Sequence, residues 1–246
     1  MSKTVIVRKI VDKGSAVWQN LALSTMEIFY PTKCAICGKY GLILCQACYS
    51  KISTNSTNVC PLCGKISVNC HYCSSCRKKK GLHIDAIIVA AKYNEGGIKE
   101  LIYKLKYHGF TAVSDIFADL MAMRMINVKT GKDWIISFVP LHRFRQNFRG
   151  FNQSELITQR LGERIKLSCE ETLQRVKNTI SQTLLNKKER QQNVSGVFRS
   201  KGDLTGKSII LVDDVTSTGS TLNSAASTLK SAGAKKVYGI VVARNI

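Results

Sequence analysis

Acidic residues are scarce in this chain of 246 residues: 16 aspartates and glutamates stand against 37 lysines and arginines, a formal net charge of +21. Such a surface cannot repel polyanions, and it predicts attraction to nucleic acid or to an anionic membrane. Long apolar runs are missing as well. No stretch approaches the ~18 consecutive apolar residues of a membrane span, so no spanning helix is expected. The first residues carry Lys3, Arg8, Lys9 and Lys13 but lack the apolar core and small-residue cleavage site of a signal peptide. A cytoplasmic protein is therefore expected, and in a reducing compartment its ten cysteines should be metal ligands or free thiols rather than disulfides. A P-loop is absent too. Residues 202–208, GDLTGKS, are one residue too short between their glycines and precede an apolar run instead of following one, which excludes nucleoside triphosphate hydrolysis on this motif.

What is present is cysteine in quantity and in order. Cys34 and Cys37, Cys45 and Cys48, Cys60 and Cys63, and Cys73 and Cys76 form four CxxC pairs, while Cys169 stands alone. Two residues between cysteines let both thiolates reach one tetrahedral Zn²⁺, and four pairs supply ligands for two ions. Gly38 and Gly64 directly follow two of the pairs, as the tight turn of a zinc knuckle requires. Sequential pairing, first two pairs on one ion and last two on the other, is preferred over an interleaved cross-brace. Cys70 and His71 compete for the second site, since Cys70 also lies in CxxC spacing with Cys73. Zinc binding by such segments supplies about 10–16 kcal/mol, enough to fold a stretch with few large apolar residues. Thioredoxin-like CxxC motifs come singly within a βαβ context, which argues against a redox role. Fully cysteine-ligated zinc leaves no open coordination position, so both ions are expected to be structural.

The cysteines divide the chain near residue 80 into a basic N-terminal segment with a short helix (1–30), a cysteine-rich zinc-ribbon module (31–80) and a larger unit (81–246). Residues 17–30 have a helical apolar pattern stopped by Pro31. Beyond the basic run 77–80, strand patterns at 84–93, 134–139, 209–212 and 237–242 alternate with helical ones at 97–106, 113–125, 153–165 and 222–231. In the second helix Ala112, Ile116, Leu120 and Met123 read as the buried face. Alternation of this kind predicts an α/β fold with a mostly parallel sheet flanked by helices, whose ligands bind beyond the carboxyl ends of the strands.

One such strand end carries the sharpest motif. Residues 209–221 read IILVDDVTSTGST: a short β-branched strand, two aspartates, then hydroxyl and glycine residues opening a helix. Thr216, Ser217, Thr218, Gly219, Ser220 and Thr221 offer N–H groups and hydroxyls at the positive end of that helix, where a phosphate belongs. Asp213 and Asp214 would repel a phosphate but suit the paired hydroxyls of a ribose. Neighbouring strand residues face opposite ways, so the backbone is expected to leave β geometry for both to reach one sugar. A second basic stretch, PLHRFRQNFRGFNQ at 140–153, follows the strand 134–139 as a loop. Arg143, Arg145 and Arg149 could neutralise a pyrophosphate with planar forks, and Phe144, Phe148 and Phe151 interleave with them as if to stack unpaired bases. Lys78 and Lys79 add to the candidate nucleic-acid surface.

The segment DDVTSTGST resembles the phosphoribosyl pyrophosphate (PRPP) signature of type I phosphoribosyltransferases. The resemblance implies that Asp213 and Asp214 hold the ribose 2′- and 3′-hydroxyls while residues Val215 to Thr221 wrap the 5′-phosphate. Together with the cysteine pairs, LKYHG at 105–109, VPLHRFRQNFRGFNQ at 139–153, Gln182, Glu189, Arg190 and Asn193, the order of motifs is similar to the ComF family of competence-associated phosphoribosyltransferase-like proteins. Ser217 is a mild departure that keeps a hydroxyl. The resemblance implies PRPP with Mg²⁺ as ligand and a role in handling single-stranded DNA during natural transformation. It also implies a competence helicase or other DNA-processing protein as partner. In a transferase of this type, Asp213, Asp214, Arg145 and Arg149 would be the catalytic residues, residues 140–143 the pyrophosphate loop and residues 175–199 a loop closing over the site with Lys187, Lys188 and Arg190. Two functions are open on these residues: a PRPP-binding DNA-handling protein, and an active Mg²⁺-dependent transferase with a nucleobase or amine acceptor.

Overall fold

The computed structural model describes residues 32–52, 60, 62–63, 65–67, 70–79, 81–177 and 196–245. The expected helix over 17–30 lies outside them, as do Gly64, Gln182, Lys187, Lys188, Glu189, Arg190 and Asn193. At Arg145 only the backbone is described.

Four strands rich in β-branched residues form one parallel sheet: β1 (Ala86–Lys92), β2 (Trp134–Phe138), β5 (Ser208–Thr216) and β6 (Lys236–Arg244), in the order β1-β6-β5-β2. Six consecutive residues of β1 and all five of β2 are buried, the sequence signature of strands covered on both faces. Alternation divides the side chains between two cores. Ile88, Ile136, Ile210, Val212, Ile240 and Val242 face one layer, made of α3 (Ile98–Tyr107), α4 (Val113–Met125) and α6 (Gln153–Ile165). Ile87, Ile135, Ile209, Leu211 and Val241 face the other, made chiefly of α7 (Ser220–Ser231) and a two-stranded antiparallel ribbon, β3 (Leu173–Arg175) with β4 (Phe198–Ser200).

The cysteine segment carries two single-turn helices, α1 (Gln46–Tyr49) and α2 (Ser74–Arg77), and packs on the first layer through Ala35, Ile52 and Cys70. Gly96 and Gly97 allow the close approach. A Cβ on Gly96 would lie 2.5 Å from Ile52 Cα, and one on Gly97 2.5 Å from Ile36 Cδ1. Among the described residues no helix is long and apolar enough to cross a membrane.

Four expectations need correction. The buried face of α4 is Val113, Phe117, Leu120, Met121 and Met125, with Met123 41% exposed, because the helix is rotated to meet α6 and the sheet together. Residues 143–149 are not a loop but a helix, α5 (Arg143–Arg149), started by His142 Nδ1 accepting from the Phe144 N–H at 3.3 Å and ended by Gly150 at φ 77°. Helix α7 begins two residues early, directly after Gly219. Finally, the backbone does not leave β geometry at the two aspartates. The ladder holds Asp213 opposite Val241 and Val215 opposite Ala243, and β5 runs on to Thr216.

Candidate functional site

Since β5 keeps its extended backbone, the side chains themselves must turn. Asp213 Oδ1 accepts from the Asp214 N–H at 2.9 Å, and Asp214 Oδ1 accepts from the Val215 N–H at 2.7 Å. Each carboxylate thus folds back along the chain, and both stay near the carboxyl end of the sheet. The start of α6 meets them. Ser154 Oγ donates to Asp213 at 3.1 Å and Gln153 Nε2 to Asp214 at 3.4 Å. Helix α6 is held in this position by Asn152, whose Oδ1 accepts from the Ser154 N–H and whose amide donates to Val139 O. Within FNQ, therefore, Asn152 is a cap and Gln153 a partner of Asp214, with Phe151 packed on the core.

The counter-ion is a residue that was not singled out as a site residue. Lys106 Nζ lies 2.5 Å from Asp214 Oδ2, with side chains 20% and 7% exposed. Burial alone would lower the Lys106 pKa; the charge and hydrogen bond of Asp214, with Asp213 behind, outweigh it and raise it. Asp213 moves the other way for a carboxyl: burial, then the charge of Asp214, push it up to about 7. A signal for Lys106 was available. Ile98 and Ile102 are buried on α3, and Lys106 continues their i, i+4, i+8 stripe, where a lysine needs a carboxylate.

Arg149 donates to Gln153 Oε1 at 3.0 Å and lies over the Tyr107 ring at 5.1 Å, so a continuous network runs from Tyr107 through Arg149 and Gln153 to Asp214 and Lys106. Arg143 belongs elsewhere. With Pro140, Leu141, Asn152, Glu155 and Arg175 it lines a polar cleft of about 210 Å³ beyond the end of β2. Burial, then the charge of Glu171, raises the Glu155 pKa in that cleft. Phe144 and Phe148 stand out at 68% and 80% exposure, and the Tyr103 and Tyr107 rings meet at 5.0 Å, tilted by 46°, on α3. Lys78 and Lys79 are exposed after α2, on the cysteine segment.

The loop after β5 is compact. Gly219, at φ 75°, donates to Thr216 Oγ1 at 3.0 Å, and the Ser220 N–H meets Thr218 Oγ1 at 3.3 Å. Thr216 and Gly219 are buried, while Ser217, Thr218, Ser220 and Thr221 are half-buried. A glycine is needed at 219 because a side chain at that φ would be strained. Donors, hydroxyls and the start of a 12-residue helix meet at one place, as an anion site requires.

The cysteines form two clusters, Cys34, Cys37, Cys45 and Cys48, and Cys60, Cys63, Cys73 and Cys76, each with its sulfurs within 4.8 Å of one another. The pairing is sequential, and Cys70 and His71 stand outside it. Cys70 is buried against the sheet, and His71 Nδ1 meets Asp85 O at 3.1 Å. Burial would raise Cys34, but backbone N–H groups of Cys37 and Cys45 draw it down to about 6; burial and the neighbouring thiols push Cys48 up to about 12. Cys60 and Cys76 repeat that contrast. Four thiols this close cannot all ionise without a cation, and four thiolates suit Zn²⁺.

Comparison with known proteins agrees with both halves. Residues 164–246 match the phosphoribosyl transferase domain family and residues 25–77 the double zinc ribbon domain family. The chain is 30% identical over 203 residues to Competence protein F of Haemophilus influenzae, covering 79% of this chain and 87% of that one. It is 30% identical over 220 residues to DNA utilization protein YhgH of Escherichia coli K12, covering 84% and 94%. Competence protein ComFC of Bacillus subtilis is 27% identical over 195 residues, covering 77% and 79%. The fold is thus the expected one: a phosphoribosyltransferase-type parallel α/β sheet preceded by a double zinc ribbon, whose cysteine clusters support structural Zn²⁺.

Proposed function

Because this chain belongs to the ComF family of competence proteins, we propose that it binds PRPP with Mg²⁺ at the end of β5 and handles single-stranded DNA during natural transformation. The observation that carries the first half is the convergence on one strand end of two carboxylates, Asp213 and Asp214, and a compact hydroxyl loop, Thr216 to Ser220. The carboxylates suit ribose hydroxyls. The loop suits a 5′-phosphate, with Val215 and Thr221 at its two ends. Arg145 and Arg149, assigned to the pyrophosphate, follow the strand next to β5 in the sheet.

The second half rests on charge and on exposed aromatics. Phe144 and Phe148 alternate with Arg143, Arg145 and Arg149 on α5, and the Tyr103–Tyr107 pair lies one helix away. Arginines that meet phosphates beside rings that stack bases are what unpaired nucleic acid requires. Lys78 and Lys79 add exposed positive charge on the ribbon. Competence and DNA utilization are the words in the names of the relatives, and a helicase or other DNA-processing protein of the same process is the partner that fits.

One observation favours turnover in addition to binding. Asp213 and Asp214 stand together at one strand end, where two carboxylates would favour a developing oxocarbenium ion as well as hold the ribose. In that reading Arg145 and Arg149 offset charge on departing pyrophosphate, and the bound Mg²⁺ would neutralise it further. Calorimetry with PRPP and Mg²⁺ on the wild type and on Asp213→Ala/Asp214→Ala tests the pocket. Binding lost in the double variant is expected; a flat titration of the wild type rejects it. Pyrophosphate release with a nucleobase or amine separates transferase from binder.

A further inference from the structure

Arg244 ends β6 opposite Thr216 of β5, next to the phosphate loop. From there its guanidinium spans two parts of the chain that are far apart in sequence. Nε donates to Ser217 O at 3.2 Å, and Nη1 donates to Cys60 O at 3.3 Å. Ser217 is in the loop read above as the 5′-phosphate grip, and Cys60, fully buried, is the first cysteine of the second cluster. The position of Cys60 is fixed on its own account, its N–H donating to Lys65 O at 2.7 Å and its sulfur joining the cluster.

We propose that Arg244 is a positioning residue that ties the phosphate loop to the second zinc cluster, so that metal in this cluster sets the geometry of the grip. The proposal rests on the PRPP reading of the loop. A guanidinium is planar with its donors in a fixed fork, so two carbonyls bonded to it are held at a set separation. Hydrogen bonds within the loop fix Gly219 and Ser220 relative to Thr216 and Thr218, and a carbonyl anchored at Ser217 adds a tie from the loop to the rest of the molecule. The base of the loop has separate support: the Asn245 N–H donates to Thr216 O at 2.8 Å, a backbone bond that substitution at 244 does not remove. Loss of the Arg244 side chain therefore removes the tie at Ser217 and leaves the root of the loop in place. The first cluster is attached differently. Its segment meets the sheet layer through Ala35, Ile36 and Tyr49, on α3 and α4 instead of on the loop. The segments of both clusters pack on that layer, the second through Cys70 beside its cluster, and of the two it is the second whose Cys60 carbonyl meets Arg244.

The test compares wild type, Arg244→Lys and Arg244→Gln by calorimetry with PRPP, ribose 5-phosphate and inorganic pyrophosphate, with zinc content measured in each preparation. Both variants should keep the zinc of the wild type and bind PRPP and ribose 5-phosphate about tenfold more weakly, the effect of one lost hydrogen bond to a carbonyl. Pyrophosphate, which does not use the loop, should be unaffected. Lysine should not rescue, because one ammonium cannot replace a two-armed fork. Removing zinc from the wild type should weaken ribose 5-phosphate to the same extent, and removing it from Arg244→Lys should add no more than about twofold, since the two changes cut one connection. Wild-type affinity in both variants, equal loss for pyrophosphate, or effects that multiply would overturn the proposal. Hydrogen exchange at the Gly219 and Ser220 amides keeps it separate from the PRPP reading. Faster exchange in Arg244→Lys is expected even if no phosphoribosyl ligand binds, and unchanged exchange overturns the strap alone.

Discussion

Lys106 and Asp214 are joined across the first layer of the molecule, a helix ammonium 2.5 Å from a strand carboxylate, both largely shielded from water. Asp214 is one of the two carboxylates proposed to hold a ribose, so the pair ties the stability of the fold to the charge of that proposed site. Removing one partner leaves the other buried and uncompensated. Lys106→Met should therefore destabilise by about 2–4 kcal/mol in urea unfolding at neutral pH. The double variant Lys106→Met/Asp214→Leu should recover part of that loss. A single variant as stable as the wild type would show that water already solvates the pair.

Asp213 gives a pH dependence of defined sign. Its carboxyl is raised from 3.8 to about 7, by burial first and by Asp214 second. Between those values the native state holds a proton that the unfolded chain has released, so stability falls as pH rises through the window and the cost is complete above about 7. Asp213→Asn should flatten this dependence and stabilise the protein at pH 8 by about 1–2 kcal/mol, as burying a neutral amide in place of a charge predicts. Urea unfolding at pH 5 and pH 8 measures both. Ligand affinity should run oppositely in the wild type, rising with pH as the carboxylate forms.

Zinc stoichiometry distinguishes the clustered cysteines from their neighbour. Wild type should carry two ions per chain and Cys63→Ser one, while Cys70→Ser keeps two, because Cys70 packs against the sheet instead of joining a cluster. Native mass spectrometry reads the count directly. Loss of an ion in Cys70→Ser would return the second site to the open choice among Cys70, Cys73 and Cys76.

Phe144 and Phe148 contribute little to the core at 68% and 80% exposure. Their joint replacement by alanine should change stability by less than about 0.5 kcal/mol. Affinity for an unpaired oligonucleotide should fall at least tenfold, on the order of 1–3 kcal/mol for each stacked base. Fluorescence anisotropy at two salt concentrations separates this loss from the phosphate contacts, which alone should follow salt. Unchanged affinity would remove α5 from the nucleic-acid surface.

The strands and most helices were legible because burial on both faces leaves runs such as IIVAA and IILV that admit few other structures. The cysteine pairs were legible because ligand geometry demands a short spacing. Helix α5 was not, since Arg143, Phe144 and Phe148 face water and supply no apolar period; its start depends on His142, a cap outside the usual set. The two aspartates were identified, yet their approach was expected from a bent backbone when it comes from carboxylates folding onto the next N–H. Arg244 was invisible for a different reason. Two of its partners are the carbonyls of Ser217 and Cys60, and a carbonyl carries no side-chain signature in a sequence.

The strand order has a consequence for synthesis of the chain. Strand β1 pairs with β6 and not with any strand made soon after it, and β5 needs β6 on its other side. The full four-stranded sheet cannot assemble until residues 236–244 have emerged, whereas the cysteine clusters close over 15 and 17 residues and can each capture an ion early. A nascent chain would then carry finished zinc knuckles ahead of an unpaired, apolar β1, which makes the interval before β6 arrives the stretch of its biosynthesis most open to chaperones and to aggregation.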